Sequence, residues 1–120
     1  MDLQKYVGET SLYDKKTAVE RKKVTSWFKS VSAFANGWGG QLLFGITEDN
    51  QILGLDDYKS DSEFISETIK SRMDPTPDFD MEIEKADGRG ILVLRIFPGN
   101  DTPYFVSDGG NCTAYKRVGN

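Results

Sequence analysis

The chain has 120 residues, enough for one domain whose hydrophobic core needs no covalent or metal staple. With 28% charged and 38% hydrophobic residues, it falls among folded water-soluble proteins rather than disordered ones. It has no histidine and a single cysteine, Cys112, which excludes imidazole acid–base chemistry, histidine triads, a multi-cysteine zinc site and an internal disulfide framework.

The net charge of −4 and pI near 4.8 argue against a protein that coats nucleic acid indiscriminately. The distribution is uneven. Residues 1–40 carry Lys5, Lys15, Lys16, Arg21, Lys22, Lys23 and Lys29 against Asp2, Glu9, Asp14 and Glu20, a net +3; the other residues sum to −7. A local basic surface is therefore compatible with an acidic protein. Asp2, Lys5 and Glu9 interrupt any signal-like run, and no window reaches the roughly 18 apolar residues of a membrane span. The composition predicts a cytoplasmic protein.

In chain order, residues 1–8 carry no strong pattern and Thr10 to Lys16 reads as a short strand. Thr17-Ala18-Val19-Glu20 has the spacing of a capping box and predicts a helix running on from it. Val24, Trp27, Phe28, Val31, Phe34 and Ala35 recur at helical spacing as one apolar stripe, with Lys22, Ser26 and Lys29 on another face. Asn36 and Gly37 read as left-handed helix-stop residues. Gly39 and Gly40 then turn the chain into Leu42-Leu43-Phe44, an unbroken apolar run suited to a strand covered on both faces.

Strands over 40–47 and 51–55 are expected to form a hairpin around Asp49-Asn50. Ser60-Asp61-Ser62-Glu63 is a second capping box, predicting a helix to about Met73 that Asp74-Pro75-Thr76-Pro77 ends. Phe79, Met81 and Ile83 alternate with Asp80, Glu82 and Glu84, a strand with one wet face, and Asp87-Gly88 turns it into Ile91–Leu94. Residues 103–107 and 112–118 pattern as a last hairpin. The order predicts a single α+β domain over residues 1–120, a mainly antiparallel sheet packed with two helices. The chain ends without a closing element, as a module cut from a longer regulator would, and as a short protein ending on its last strand also would.

The glycines do not make a nucleotide loop. Gly37, Gly39 and Gly40 precede a strand, whereas phosphate loops follow a strand and open a helix. The lysines around position 22 suit either phosphate contacts or a solvated helix face. Glu9 and Asp14 stand an odd number apart, on opposite faces of a regular strand unless the chain bends, and Asp49 is explained as a turn residue. Cys112 has no histidine to activate it and reads as a packed thiol.

Glu9, Asp14-Lys15-Lys16, Ala33-Phe34-Ala35-Asn36, Gly39-Gly40, Gly45-Ile46, Asp49, Gly54, Pro103-Tyr104-Phe105 and Tyr115-Lys116-Arg117-Val118-Gly119 follow one another in a familiar order. The series resembles the Schlafen AlbA_2 domain family over residues 9 to 119. It departs at Asp14-Lys15, where glutamate and an aromatic residue are usual. The resemblance implies a nucleic-acid-binding (DNA-binding) module in a transcriptional-regulatory context, often fused to a winged-helix or ATPase-like domain. On this reading Lys16, Lys22, Lys29 and Arg117 contact phosphates, while Asn36, Gly39 and Gly40 shape the helix–strand junction. The resemblance also implies an alternative, a magnesium- or manganese-dependent endoribonuclease whose carboxylates align with Glu9, Asp14 and Asp49. Schlafen cores pair two lobes, so a homodimer would supply the second. A third reading is a protein-interaction or dimerisation module.

Overall fold

The computed structural model describes residues 13–100, 102–108 and 111–115, and the fold is α+β. Its centre is a four-stranded sheet of β1 (Tyr13–Lys16), β2 (Gly40–Phe44), β4 (Phe79–Ala86) and β5 (Arg89–Ile96), in the order β1-β2-β5-β4. The helix α1 (Thr25–Ala35) connects β1 to β2, and those two strands run parallel; the other pairs are antiparallel. The expected antiparallel sheet thus carries one parallel edge pair, as a strand–helix–strand crossover requires.

Leu42, Leu43 and Phe44 are fully buried, because β2 is covered on both faces. Leu42 and Phe44 pair with Leu94 and Leu92 and face the helices, while Leu43 pairs with Val93 on the opposite face. The stripe of α1 packs on the first face as its spacing predicts. Trp27 lies at the meeting point, with ring centroids 5.4 Å from Phe28, 5.9 Å from Phe44 and 6.5 Å from Phe64. Phe64 belongs to α2 (Tyr58–Arg72), whose Ile65 and Ile69 complete that core.

Both helix starts differ from the capping-box reading. The first helix begins at Thr25, seven residues beyond Ala18. The Glu20 carboxylate accepts from the backbone N–H groups of Lys22 and Lys23, and its carbonyl accepts from Trp27 Nε1 at 2.8 Å. That carbonyl would have served Val24 in a helix starting at Ala18. Val19 and Val24 are buried, so residues 17–24 pack as an irregular segment. In the second helix Asp57, not Ser60, is the cap, accepting from Ser60 N–H at 3.1 Å. Ser60 Oγ instead accepts from Arg21 at 2.9 Å.

The expected second strand of the central hairpin is reduced to a single bridge between Ile46 and Ile52. Gly45 and Gly54, at φ 102° and 77°, turn the chain out of the sheet, and the N–H groups of Leu53 and Gly54 both donate to the Gly45 carbonyl. The Asp87-Gly88 turn forms as expected, with both residues at positive φ. The last hairpin also forms, as β6 (Phe105–Asp108) and β7 (Asn111–Ala114), but joins β3 (Met73–Asp74) in a separate three-stranded sheet. Its predicted continuation past residue 115 lies outside the described residues.

Candidate nucleic-acid interface

The junction after α1 is held by side chains that look like helix punctuation in the sequence. Asn36 is not left-handed: its φ is −80°, and the turn of the chain falls on Gly39 at φ 83°. The Asn36 carboxamide instead reaches the second sheet. Its Oδ1 accepts from Tyr104 N–H at 2.6 Å, and its Nδ2 donates to the carbonyls of Tyr104 at 3.1 Å and Tyr115 at 2.9 Å. Ser32, one turn earlier and fully buried, donates to the Tyr104 carbonyl at 2.9 Å and accepts from Tyr115 N–H at 3.1 Å. Sequence reasoning missed Ser32, although a polar residue inside an apolar stripe was the available signal.

Gly39 and Gly40 are required by contact as well as by conformation. A Cβ on Gly40 would lie 2.5 Å from the Phe34 ring, and one on Gly39 would lie 2.8 Å from the Ile96 carbonyl oxygen and from Pro98. The three junction residues therefore fix how α1, β2 and the second sheet meet.

On the β1 side of the molecule the cations sort into two groups. Arg21 is engaged, 2.8 Å from Asp61 and stacked 5.0 Å over the Phe64 ring. Lys15 donates to Asn50 Oδ1. By contrast, Lys22, Lys23 and Lys29 are exposed and have no acidic partner among the described residues. Lys22, Ser26 and Lys29 follow one another along the exposed side of the first half of α1 and its approach. Lys16 is half-buried, 3.9 Å from Asp14, whose carboxylate also accepts from Ser30 Oγ on α1. Arg117 lies outside the described residues.

The opposite edge of the sheet is acidic. Asp80 and Glu82 of β4 both bind Arg95 of β5, the Asp80 contact at 3.1 Å. Burial alone would lower the Arg95 pKa, but the hydrogen bonds and charges of Glu82 and Asp80 outweigh it and hold the pKa above its usual value. Among the described residues, then, Lys22, Lys23 and Lys29 have no acidic partner, while Asp80 and Glu82 of β4 are paired with Arg95.

The carboxylates of the cleavage alternative are placed as follows. Asp14 points toward α1, held by Ser30 and Lys16. Asp49 accepts from Thr47 Oγ1 in a turn whose Asn50 is bound by Lys15, a side chain that leaves β1 on the face opposite Asp14. Glu9 lies outside the described residues. Asp14 and Asp49 have separate partners, and no cluster of three metal-ligating side chains occurs among the described residues.

A family model described as "Schlafen, AlbA_2" matches residues 9–120. Among solved structures, the chain is similar to the N-terminal domain of a protein from Nitrosomonas europaea named as related to the ATP-dependent DNA helicase RecG. The identity is 24% and the TM-score 0.64, covering 98% of this chain and 84% of that one. It is also similar to the DIP2311 protein from Corynebacterium diphtheriae, at 20% identity and a TM-score of 0.57, covering 87% of this chain and 22% of that one. These likenesses establish the fold. No curated protein matches the chain. No helix among the described residues is long and apolar enough to cross a membrane.

Proposed function

The chain belongs to the Schlafen AlbA_2 family, and we propose that it is a nucleic-acid-binding module that holds phosphates on the α1 side of its sheet. The observation that carries this reading is the contrast between its cations. Arg21, Lys15 and Arg95 are bound to protein partners, whereas Lys22, Lys23 and Lys29 stand exposed with no acidic partner among the described residues. Each lysine that meets a phosphate releases a condensed counterion, so a few such residues support binding on an acidic protein. The name of the Nitrosomonas europaea relative is in keeping with work on DNA. In this reading the domain serves a regulatory protein by recruiting nucleic acid to it.

Binding is favoured over cleavage because Asp14 and Asp49 are each committed to a different neighbour, Ser30 with Lys16 and Thr47. The test is a salt titration of labelled single-stranded RNA and DNA against the purified protein, with manganese and with EDTA. Salt-sensitive, metal-independent binding without cleavage is expected. Metal-dependent cleavage lost in Asp49→Asn would replace this reading with the nuclease.

A further inference from the structure

Exposed aromatic surface collects at one end of the sheet face opposite α1 and α2. Trp38, in the turn after α1, is 85% exposed, and Phe97, the residue after β5, is 43% exposed. They line a shallow groove of about 180 Å³ together with Gln41, Arg95 and Pro98. The strand register fixes what stands beside it. Asp80 pairs with Arg95, and the Phe97 N–H donates to the Asp78 carbonyl at 3.0 Å, one step further along the same ladder. Phe79, Met81 and Ile83 pack against the helix-side core, so Asp78, Asp80 and Glu82 leave the chain on the groove side.

The charges beside the two rings are unbalanced. Arg95 is the cation of the groove lining, and it is already held by Asp80 and Glu82. Asp78 is exposed and has no basic partner among the described residues. Lys85, the lysine of β4, leaves on the helix side and lies 5.3 Å over the Tyr58 ring. Three carboxylates thus stand against one guanidinium next to an exposed tryptophan and an exposed phenylalanine.

We propose that this surface binds an arginine- or lysine-rich segment of a partner protein, with one cationic side chain stacked on Trp38 and others beside Asp78 and Asp80. Charge complementarity selects the occupant. The face of an aromatic ring carries negative potential, tryptophan most strongly, so rings and carboxylates at one place attract the same ligand. A neutral apolar partner would strip water from the carboxylates and return nothing. A nucleic acid would bring its phosphates against them. A guanidinium suits both features, because it lies flat on a ring and forks to a carboxylate. The groove lies on the sheet face opposite α1, so the proposal stands apart from the phosphate reading and does not involve its lysines.

The test measures the anisotropy of a labelled oligoarginine peptide at low salt with the wild type and four variants. Affinity is expected to be about three- to fivefold weaker in Trp38→Ala and partly restored in Trp38→Phe. Asp78→Lys should weaken it about fivefold, whereas Glu67→Lys, the same change in net charge on an exposed residue of α2, should weaken it less than about twofold. Wild-type tryptophan emission should change on adding the peptide, a signal assigned to Trp38 because Trp27 is buried. Equal losses in the two lysine variants, or an affinity that ignores Trp38, would reduce the binding to bulk charge and overturn the proposal. No binding of oligoarginine by the wild type overturns it as well. An emission change with oligo(dT) but not with oligoarginine would assign the groove to nucleic acid. A shift from dimer to monomer in Trp38→Ala, with unchanged peptide affinity, would assign it to a second copy. Either of these results also overturns the proposal, and none of them bears on the α1 lysines.

Discussion

Asn36 and Tyr104 are bound to each other twice, side chain to backbone: Tyr104 N–H donates to Asn36 Oδ1 at 2.6 Å and Asn36 Nδ2 donates to the Tyr104 carbonyl at 3.1 Å. The pair is 68 residues apart in the chain. With the further bond to the Tyr115 carbonyl, it fastens the end of α1 to the strands of the second sheet. Only an amide has both the acceptor and the donors that this arrangement uses.

Asn36→Ala should therefore remove the bonds to the Tyr104 N–H and the Tyr115 carbonyl, while Ser32 still donates to the Tyr104 carbonyl, and destabilise the protein by about 2–3 kcal/mol. Asn36→Asp keeps the acceptor but turns a second oxygen toward two carbonyls, and should cost a similar amount at neutral pH. Urea unfolding of the three proteins measures both. A loss below about 1 kcal/mol in both variants would show that the contact does not organise the junction.

Gly40→Ala is expected to destabilise by about 1–3 kcal/mol, because the new methyl lies on the Phe34 ring and α1 must move away from β2. Gly88→Ala has open space around its Cβ and meets only the strain of φ 76°, so its loss should be the smaller. Thermal unfolding of the two variants gives the order directly.

Trp27→Phe tests how the irregular segment before α1 is held. The substitution removes the 2.8 Å bond to the Glu20 carbonyl and opens space between Phe28, Phe44 and Phe64. A loss of about 2–3 kcal/mol is expected in denaturant unfolding, with amide exchange rising first in residues 17–24.

Lys22→Glu combined with Lys29→Glu should leave stability within about 0.5 kcal/mol, since both side chains are exposed and unpaired among the described residues. Affinity for single-stranded nucleic acid should fall at least tenfold. The slope of log affinity against log salt should flatten by roughly 1.4, about 0.7 for each lost phosphate contact.

What the sequence discloses follows the physics of each signal. The stripe from Trp27 to Ala35, the alternation in Phe79–Ile83 and the Asp87-Gly88 turn depend on local periodicity and backbone preference, and the structure contains them. The helix starts misled because Thr17 and Ser60 have the cap spacing, while the competing partners, Trp27 Nε1 for the Glu20 carbonyl and Asp57 for Ser60 N–H, are chosen by packing. Asn36 has a composition that suits a helix stop, and its tertiary role needs Tyr104 and Tyr115, residues no local window contains. The lysines of the candidate interface were legible as a charge cluster. That Arg21 is engaged, while Lys22 has no acidic partner among the described residues, depends on α2 supplying Asp61 and Phe64 to Arg21.

The most direct measurement is the affinity of the wild type and the Lys22→Glu/Lys29→Glu protein for labelled single-stranded RNA and DNA across a salt series. Measurable binding at low salt is expected, with a log–log slope of about −2 to −3 and a weaker, flatter dependence in the variant. No binding at low salt, or binding that the two substitutions leave unchanged, would contradict it.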